Sequence, residues 1–129
     1  MTILTASPSN ATITTVLVVE DEVLILLATA QDLRDAGFKV LEAANAREAI
    51  ALLELHPEIS LLFTDIDMPG SMDGLMLSTM VRDRWPPVKI IVTSGKTIVG
   101  RGELPEQGRF MPKPYRIDKV VAAVQEMLA

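Results

Sequence analysis

Five short runs with strand character punctuate this chain, and their spacing limits the fold more than any other feature. They are Thr15–Val19, Phe38–Ala43, Ser60–Thr64, Val88–Val92 and Arg109–Met111. The first four are mostly aliphatic or β-branched, which suits strands covered on both faces. The fifth is brief and ends at Pro112-Lys113-Pro114, as an edge strand can, since proline donates no ladder hydrogen bond. Helical patterns lie between the runs. One extends from Glu20-Asp21-Glu22 to Ala36 and stops at Gly37. A second starts at Asn45, with Glu48 placed for a capping box, and closes near Leu55 at His56-Pro57. A third covers Leu75–Arg84 and stops before Pro86-Pro87. A final one covers Ile117–Leu128, with Ile117, Val120, Val121, Val124 and Leu128 on one face. The fourth interval, residues 95–108, holds four Gly and Pro105, so any helix there is short or irregular. Strand–helix alternation of this kind predicts an α/β fold, a parallel sheet with helices on both faces, because right-handed crossovers place them there.

At 129 residues the chain is one domain with enough length to bury a core. Residues 1–14, rich in Thr, Ser and Ala, read as a flexible tail before a domain at 15–129. Hydrophobic residues reach 49% but aromatics only 4%, so the core must be aliphatic, with seven Met contributing. A net charge of −5 argues against direct nucleic-acid binding. With no Cys there is neither a disulfide framework nor a thiolate metal site. No charge precedes Val16, so the basic start of a signal peptide is missing, and no apolar run reaches the roughly 18 residues of a membrane span. A soluble cytoplasmic protein is expected.

The stretch Leu61–Gly70 runs from a buried strand straight into Asp65, then Asp67, then the turn-forming Pro69-Gly70. A carboxylate there loses hydration unless a cation or hydrogen bonds offset the loss. Glu20 and Asp21 follow the first strand, Thr93 the fourth and Lys113 the fifth. In a parallel sheet all of these fall on one edge, where α/β proteins keep their sites. Three carboxylates at one crevice call for a hard dication, and Mg²⁺ takes oxygen ligands. Lys113 offers positive charge to a phosphoryl oxygen and Thr93 a hydroxyl donor. An aspartate held there can act as a nucleophile and form an aspartyl phosphate. Taken singly, each residue has a bland explanation as a cap, a β-branched strand residue or a solvated lysine. Five complementary types at one edge do not.

The segments Val18-Val19-Glu20-Asp21-Glu22, Phe63-Thr64-Asp65-Ile66-Asp67-Met68-Pro69-Gly70, Val92-Thr93-Ser94-Gly95 and Met111-Pro112-Lys113-Pro114-Tyr115 resemble the motifs of the receiver domain of two-component response regulators. The match covers about residues 15–129, in family order and near family spacing. It implies a flavodoxin-like five-stranded sheet of order 2-1-3-4-5. It also implies phosphoryl transfer to Asp65 from a histidine kinase or histidine phosphotransfer protein, in a switch that assists its own phosphorylation and dephosphorylation without being a turnover enzyme. By matching position, Asp21 and Asp65 bind Mg²⁺ directly, Glu20 through water and Asp67 by its backbone carbonyl. Thr93 bonds the phosphoryl group, Lys113 pairs with it, and the Lys113-Pro114 peptide is cis. Phosphorylation draws Thr93 inward and Phe110 follows, shifting a two-state population read by a downstream partner on the face of the fifth strand and last helix. Three features depart from the family pattern. Phe110 stands where the switch aromatic is often Tyr, the Gly-rich 95–108 stretch weakens a helix of the output face, and no effector domain follows. The expectation is a stand-alone receiver or a piece of a longer protein, with homodimer formation left open.

Leu33 and Ala36 define an inward stripe of the first helix through Ile25, Leu26, Thr29 and Ala30. That leaves Leu24 and Leu27 pointing outward as candidates for docking the kinase. Tyr115 is a candidate for exposed partner contact. His56, beside Pro57, reads as a helix C-cap and not a phosphoryl carrier, and Trp85 as packing. Two rival functions remain in view. Asp65-Ile66-Asp67 resembles the nucleophile motif of haloacid-dehalogenase-like phosphatases, although there it ends the first strand of a larger chain. A phosphate-independent pseudo-receiver is the other, kept in view by the irregular 95–108 segment.

Overall fold

The computed structural model of the protein describes residues 13–70, 72–96 and 99–129. The expected flexible tail therefore lies outside the described residues, except for Ile13 and Thr14. The elements are β1 (Thr15–Val19), α1 (Val23–Asp35), β2 (Lys39–Ala43), α2 (Ala46–Leu55), β3 (Ile59–Asp65), α3 (Gly74–Arg84), β4 (Lys89–Ser94), a single 3-10 turn (Arg101–Glu103), β5 (Arg109–Pro112) and α4 (Ile117–Leu128). The five strands are all parallel, in the order β2-β1-β3-β4-β5. The first and third strands are thus neighbours, which places a crevice where the chain reverses direction across the sheet.

Alternation along the strands sorts the core into two layers. Val16, Val18, Leu61, Phe63 and Ile91 face α1 and α4, meeting Leu26, Ala30, Leu33, Val120, Ala123 and Val124. Leu17, Val19, Leu62, Ile90 and Val92 face α2 and α3, meeting Ala49, Leu53, Leu77 and Val81. Each Val, Leu, Ile or Phe side chain among them contributes about 1.5–3 kcal/mol when fully buried. The helix ends follow local chemistry. Asn45 Oδ1 accepts the Glu48 N–H at 2.8 Å, while Glu48 Oε1 reaches back to the Ala44 N–H, also at 2.8 Å. The box thus closes one residue before the cap. Asp73 caps α3 through the Met76 N–H at 2.9 Å. Gly37 stops α1 with φ of +101°, a value that only glycine adopts freely. His56 is the C-cap of α2, its N–H donating to the Leu52 carbonyl at 2.8 Å. Trp85 ends α3, half-buried against the core, with the Arg84 guanidinium 4.5 Å from its ring centroid.

Two expectations need correction. Ala36 is exposed and does not belong to the inward stripe of α1, because the helix has already ended and Ala36 is its C-cap. Ile25 in that stripe is only half-buried. Strands three and four also run further than their apolar runs: Asp65, Thr93 and Ser94 are ladder residues, not residues beyond the strands. Backbone pairing continues past the last aliphatic side chain because at least one neighbouring strand still offers a partner to each of these residues. In the 95–108 interval the described residues form only the 3-10 turn, as the glycines and Pro105 require.

Candidate functional site

Parallel register delivers the polar residues to one edge. Val19 pairs with Thr64, Asp65 with Thr93, and Ser94 with Pro112, so Glu20 and Lys113 emerge just past the ends of β1 and β5. The Ile66 N–H donates to the Thr93 carbonyl at 2.8 Å, and the Lys113 N–H to that of Ser94 at 2.9 Å, extending the ladder beneath the site. Above it, Lys113 Nζ lies 2.8 Å from Glu20 Oε1 and 3.4 Å from Asp65 Oδ2. Both carboxyl groups are almost completely buried. Burial raises the pKa of Glu20 and of Asp65, with Lys113 pulling each part of the way back. Burial works against the Lys113 ammonium too, but its hydrogen bond to Glu20 and the nearby Asp65 carry its pKa above the ordinary value. The Lys113-Pro114 peptide is cis.

Glu20, Asp21 and Asp65 each bring an oxygen ligand atom within 4.8 Å of the others. An all-carboxylate set of this kind fits a hard cation with oxygen ligands and does not fit a soft one. Asp67 lies beside them. Its N–H donates to Asp65 Oδ1 at 3.3 Å, and its carboxylate accepts a short hydrogen bond from the Ser94 hydroxyl. Asp21, Asp65 and Asp67 line a pocket of about 220 Å³ together with Glu22, Gly95, Lys96 and Lys113. Thr93 Oγ1 is buried and has no hydrogen-bond partner among the described residues. Thr64, by contrast, satisfies its buried hydroxyl on the Asp65 carbonyl at 3.0 Å. A buried orphan hydroxyl costs about 1–3 kcal/mol, so its presence on the ladder beside Asp65 marks a place where an acceptor belongs.

The structure brings Glu20, Asp21, Asp65, Asp67, Thr93 and Lys113 together at this edge. Phe110 is half-buried against the layer that contains Val92, one strand away. Leu24 and Leu27 are exposed on α1, at 82% and 50%, with Val23 beside them at 60%. Tyr115 is half-buried and not fully exposed. Its hydroxyl is 2.7 Å from Thr29 Oγ1, and its ring stands edge-on to Phe63 at 5.4 Å. Burial raises its pKa. Sequence reasoning had no means to find this pair, whose members are 86 residues apart. It also passed over Gly74. A Cβ at that position would lie 2.0 Å from the Asp65 carbonyl oxygen, so only glycine lets α3 start against the end of β3. A glycine where a helix former would serve better was the available signal.

A doubly wound parallel sheet with an acidic cluster and a half-buried lysine at its carboxyl edge is the architecture of phosphoacceptor switches, and the chain belongs to the response regulator receiver domain family, whose model matches residues 16–125. The receiver domain of the hybrid histidine kinase CckA is one similar solved structure, with TM-score 0.76, 32% identity, and coverage of 89% of this chain and 99% of that one. A response regulator receiver protein from Sinorhizobium medicae is another, with TM-score 0.84, 26% identity and coverage of 92% and 96%. Among curated proteins, sensor kinase CckA of Brucella abortus is 35% identical over 119 residues, covering 88% of this chain and 12% of that protein. Transcriptional regulatory protein PdtaR of Mycobacterium tuberculosis is 31% identical over 113 residues, covering 85% and 54%. The chain thus spans only part of the length of these curated relatives. No helix among the described residues is long and apolar enough to cross a membrane.

Proposed function

We propose that Asp65 is the phosphoacceptor of this receiver and that the domain, taken as residues 15–129, works as a Mg²⁺-dependent switch. The observation that carries this reading is the buried, unpartnered Thr93 hydroxyl on the ladder position beside Asp65. A carboxylate oxygen of Asp65 attacks the phosphorus of the donor. The bond from phosphorus to the leaving group breaks, and the leaving group departs with its electron pair. Glu20, Asp21 and Asp65, with the Asp67 carbonyl, would hold Mg²⁺, which supplies positive charge against the phosphoryl oxygens. Lys113, already beside Asp65, takes one phosphoryl oxygen, and the Thr93 hydroxyl finds in another the acceptor it lacks. Thr93 moving toward that oxygen opens space for Phe110 on the adjacent strand. In this reading the domain also assists its own phosphorylation and dephosphorylation.

A histidine kinase or phosphotransfer protein in the same cellular compartment, taken to be the cytoplasm, docks on α1 through Leu24 and Leu27. A groove of about 680 Å³ supports this: Leu24, Ile25 and Ala28 line it together with Lys113, Pro114 and Tyr115, so it opens beside the acceptor. Replacing Leu24 and Leu27 by Ala should slow kinase-driven transfer while leaving labelling by a small phosphodonor intact. The direct test is intact mass after incubation with Mg²⁺ and acetyl phosphate. One added phosphoryl group that requires Mg²⁺ and is absent in Asp65→Asn is expected. If neither protein gains mass and beryllofluoride fails to bind, the reading is wrong. Thr93→Ala should still be labelled but should lose the conformational response, read as the change in methyl NMR shifts of α4 on beryllofluoride binding.

A further inference from the structure

The pocket above Asp65 is lined by four acidic residues, Asp21, Glu22, Asp65 and Asp67, and by only two lysines. Glu20, just below, adds a further carboxylate to the same edge. Such a mouth repels the dianionic group it has to admit. The two lysines stand differently toward that problem. Lys113 is committed, through its bond to Glu20 and its contact with Asp65. Lys96 is exposed and makes no ion pair among the described residues. Its backbone is nonetheless fixed at the rim. The Lys96 N–H donates to Ser94 Oγ at 3.1 Å, and the same hydroxyl donates to the Asp67 carboxylate. A free ammonium is thereby tied by its own main chain to the acidic loop.

We infer that Lys96 is a specificity-determining residue that draws dianionic phosphoryl donors into the pocket and favours them over donors of lower charge. The inference rests on Asp65 being the acceptor. In the reaction concerned, an Asp65 oxygen bonds to the phosphorus of acetyl phosphate, the bond between phosphorus and the acyl oxygen breaks, and acetate leaves with the electron pair. Lys96 takes no part in that exchange and acts on the approach of the donor. A single positive charge about 7 Å from a dianion in water changes its local concentration about fourfold at low salt, and by less than about twofold once the Debye length falls to about 4 Å.

The test compares second-order rate constants for phosphorylation by acetyl phosphate, with saturating Mg²⁺, at ionic strengths of about 20 mM and about 500 mM. Wild type, Lys96→Gln, Lys96→Arg and Lys39→Gln are measured in parallel. Lys39 starts β2 at the opposite edge of the sheet, so its replacement makes the same change in net charge far from the pocket. Lys96→Gln should lose about fourfold at low salt and little at high salt. Lys96→Arg should match wild type, and Lys39→Gln should change nothing. With phosphoramidate, which carries less negative charge, the loss should shrink. Equal rates for Lys96→Gln and wild type at low salt, or a loss independent of salt, overturn the role of Lys96. Failure of the underlying reading looks different: wild type itself would gain no phosphoryl group at Asp65.

Discussion

Gly74→Ala adds a single methyl group and tests how tightly the start of α3 is pressed against the acceptor strand. The new Cβ would lie 2.0 Å from the Asp65 carbonyl oxygen, 2.7 Å from its carbon and 2.8 Å from Ile66 Cα. All three are backbone atoms, so no side chain can rotate away. Ordinary contact begins at 3.4 Å, so the helix start and the strand end must separate by about 1.4 Å. The Gly74 N–H donates to the Ile66 carbonyl at 3.1 Å, and that separation takes the bond beyond hydrogen-bonding range. Overpacking costs about 1–3 kcal/mol and the lost bond about 1 kcal/mol, against a gain of at most about 1 kcal/mol from alanine's helix propensity. The expected net loss is about 1–3 kcal/mol, read as a lower urea midpoint by far-ultraviolet circular dichroism. The folded fraction should also suffer in function. A displacement of about 1 Å at reacting groups can cost about 100-fold in rate, so labelling by acetyl phosphate should fall steeply even below the unfolding transition. Gly102→Ala is the control: no atom lies within 4 Å of its Cβ and its φ is not positive, so stability should hold or rise slightly. An unchanged midpoint and labelling rate for Gly74→Ala would refute the claim that this contact positions Asp65.

With EDTA present the protein should respond to pH in a way that reports on the buried carboxyl groups of Asp65 and Glu20. Burial raises the folded-state pKa of Asp65 and Glu20, so the folded state binds protons more readily than the unfolded one. Their contribution is therefore fully present below the ordinary carboxylate pKa and is lost as pH rises through the raised folded values. Asp65→Asn should accordingly gain stability over wild type with EDTA present, by a margin that grows as pH rises above the ordinary carboxylate range; a margin that does not grow contradicts the sign. A double-mutant cycle of Thr29→Val and Tyr115→Phe should give a coupling of about 1 kcal/mol in denaturant unfolding, and independent effects would mean that the hydroxyl pair contributes nothing. Lys113→Ala removes the cation that competes for Glu20 and Asp65, so calorimetric Mg²⁺ affinity should rise several-fold while labelling falls; weaker binding would contradict that competition.

The parts of this architecture that announce themselves in sequence are those governed by local rules. Buried parallel strands must be continuous apolar runs, so Val16–Val19 and Leu61–Phe63 are visible without a partner in view. The cap at Asn45 and the stop at Gly37 are equally local. The site is legible because parallel topology turns strand ends into spatial neighbours, which brings Glu20, Asp65, Thr93 and Lys113 together from distant positions. What depends on side-chain direction across elements is not legible. Tyr115 folds back onto Thr29 and Phe63 because its hydroxyl and ring both find partners in the interface between α1 and the sheet, and nothing around residue 115 announces that. Ala36 fails for the opposite reason: it fits the helical period but lies one residue beyond the last helical turn. The ladder through Asp65 and Thr93 outlasts the apolar pattern because backbone hydrogen bonding is indifferent to side-chain polarity.

The buried hydroxyl of Thr93 has a consequence for how such a domain can be improved in the laboratory. Valine has almost the same shape and no polar atom, so Thr93→Val removes an unsatisfied donor and should stabilise the resting fold by about 1–2 kcal/mol. Any selection for heat resistance, protease resistance or expression yield that ignores signalling should therefore enrich valine at this position. If Thr93 has the role proposed above, the variants recovered would look like successes by every biophysical criterion and would be mute. Thermal robustness and responsiveness compete at this one atom, and an engineer who wants both must hold residue 93 fixed and seek stability elsewhere in the molecule.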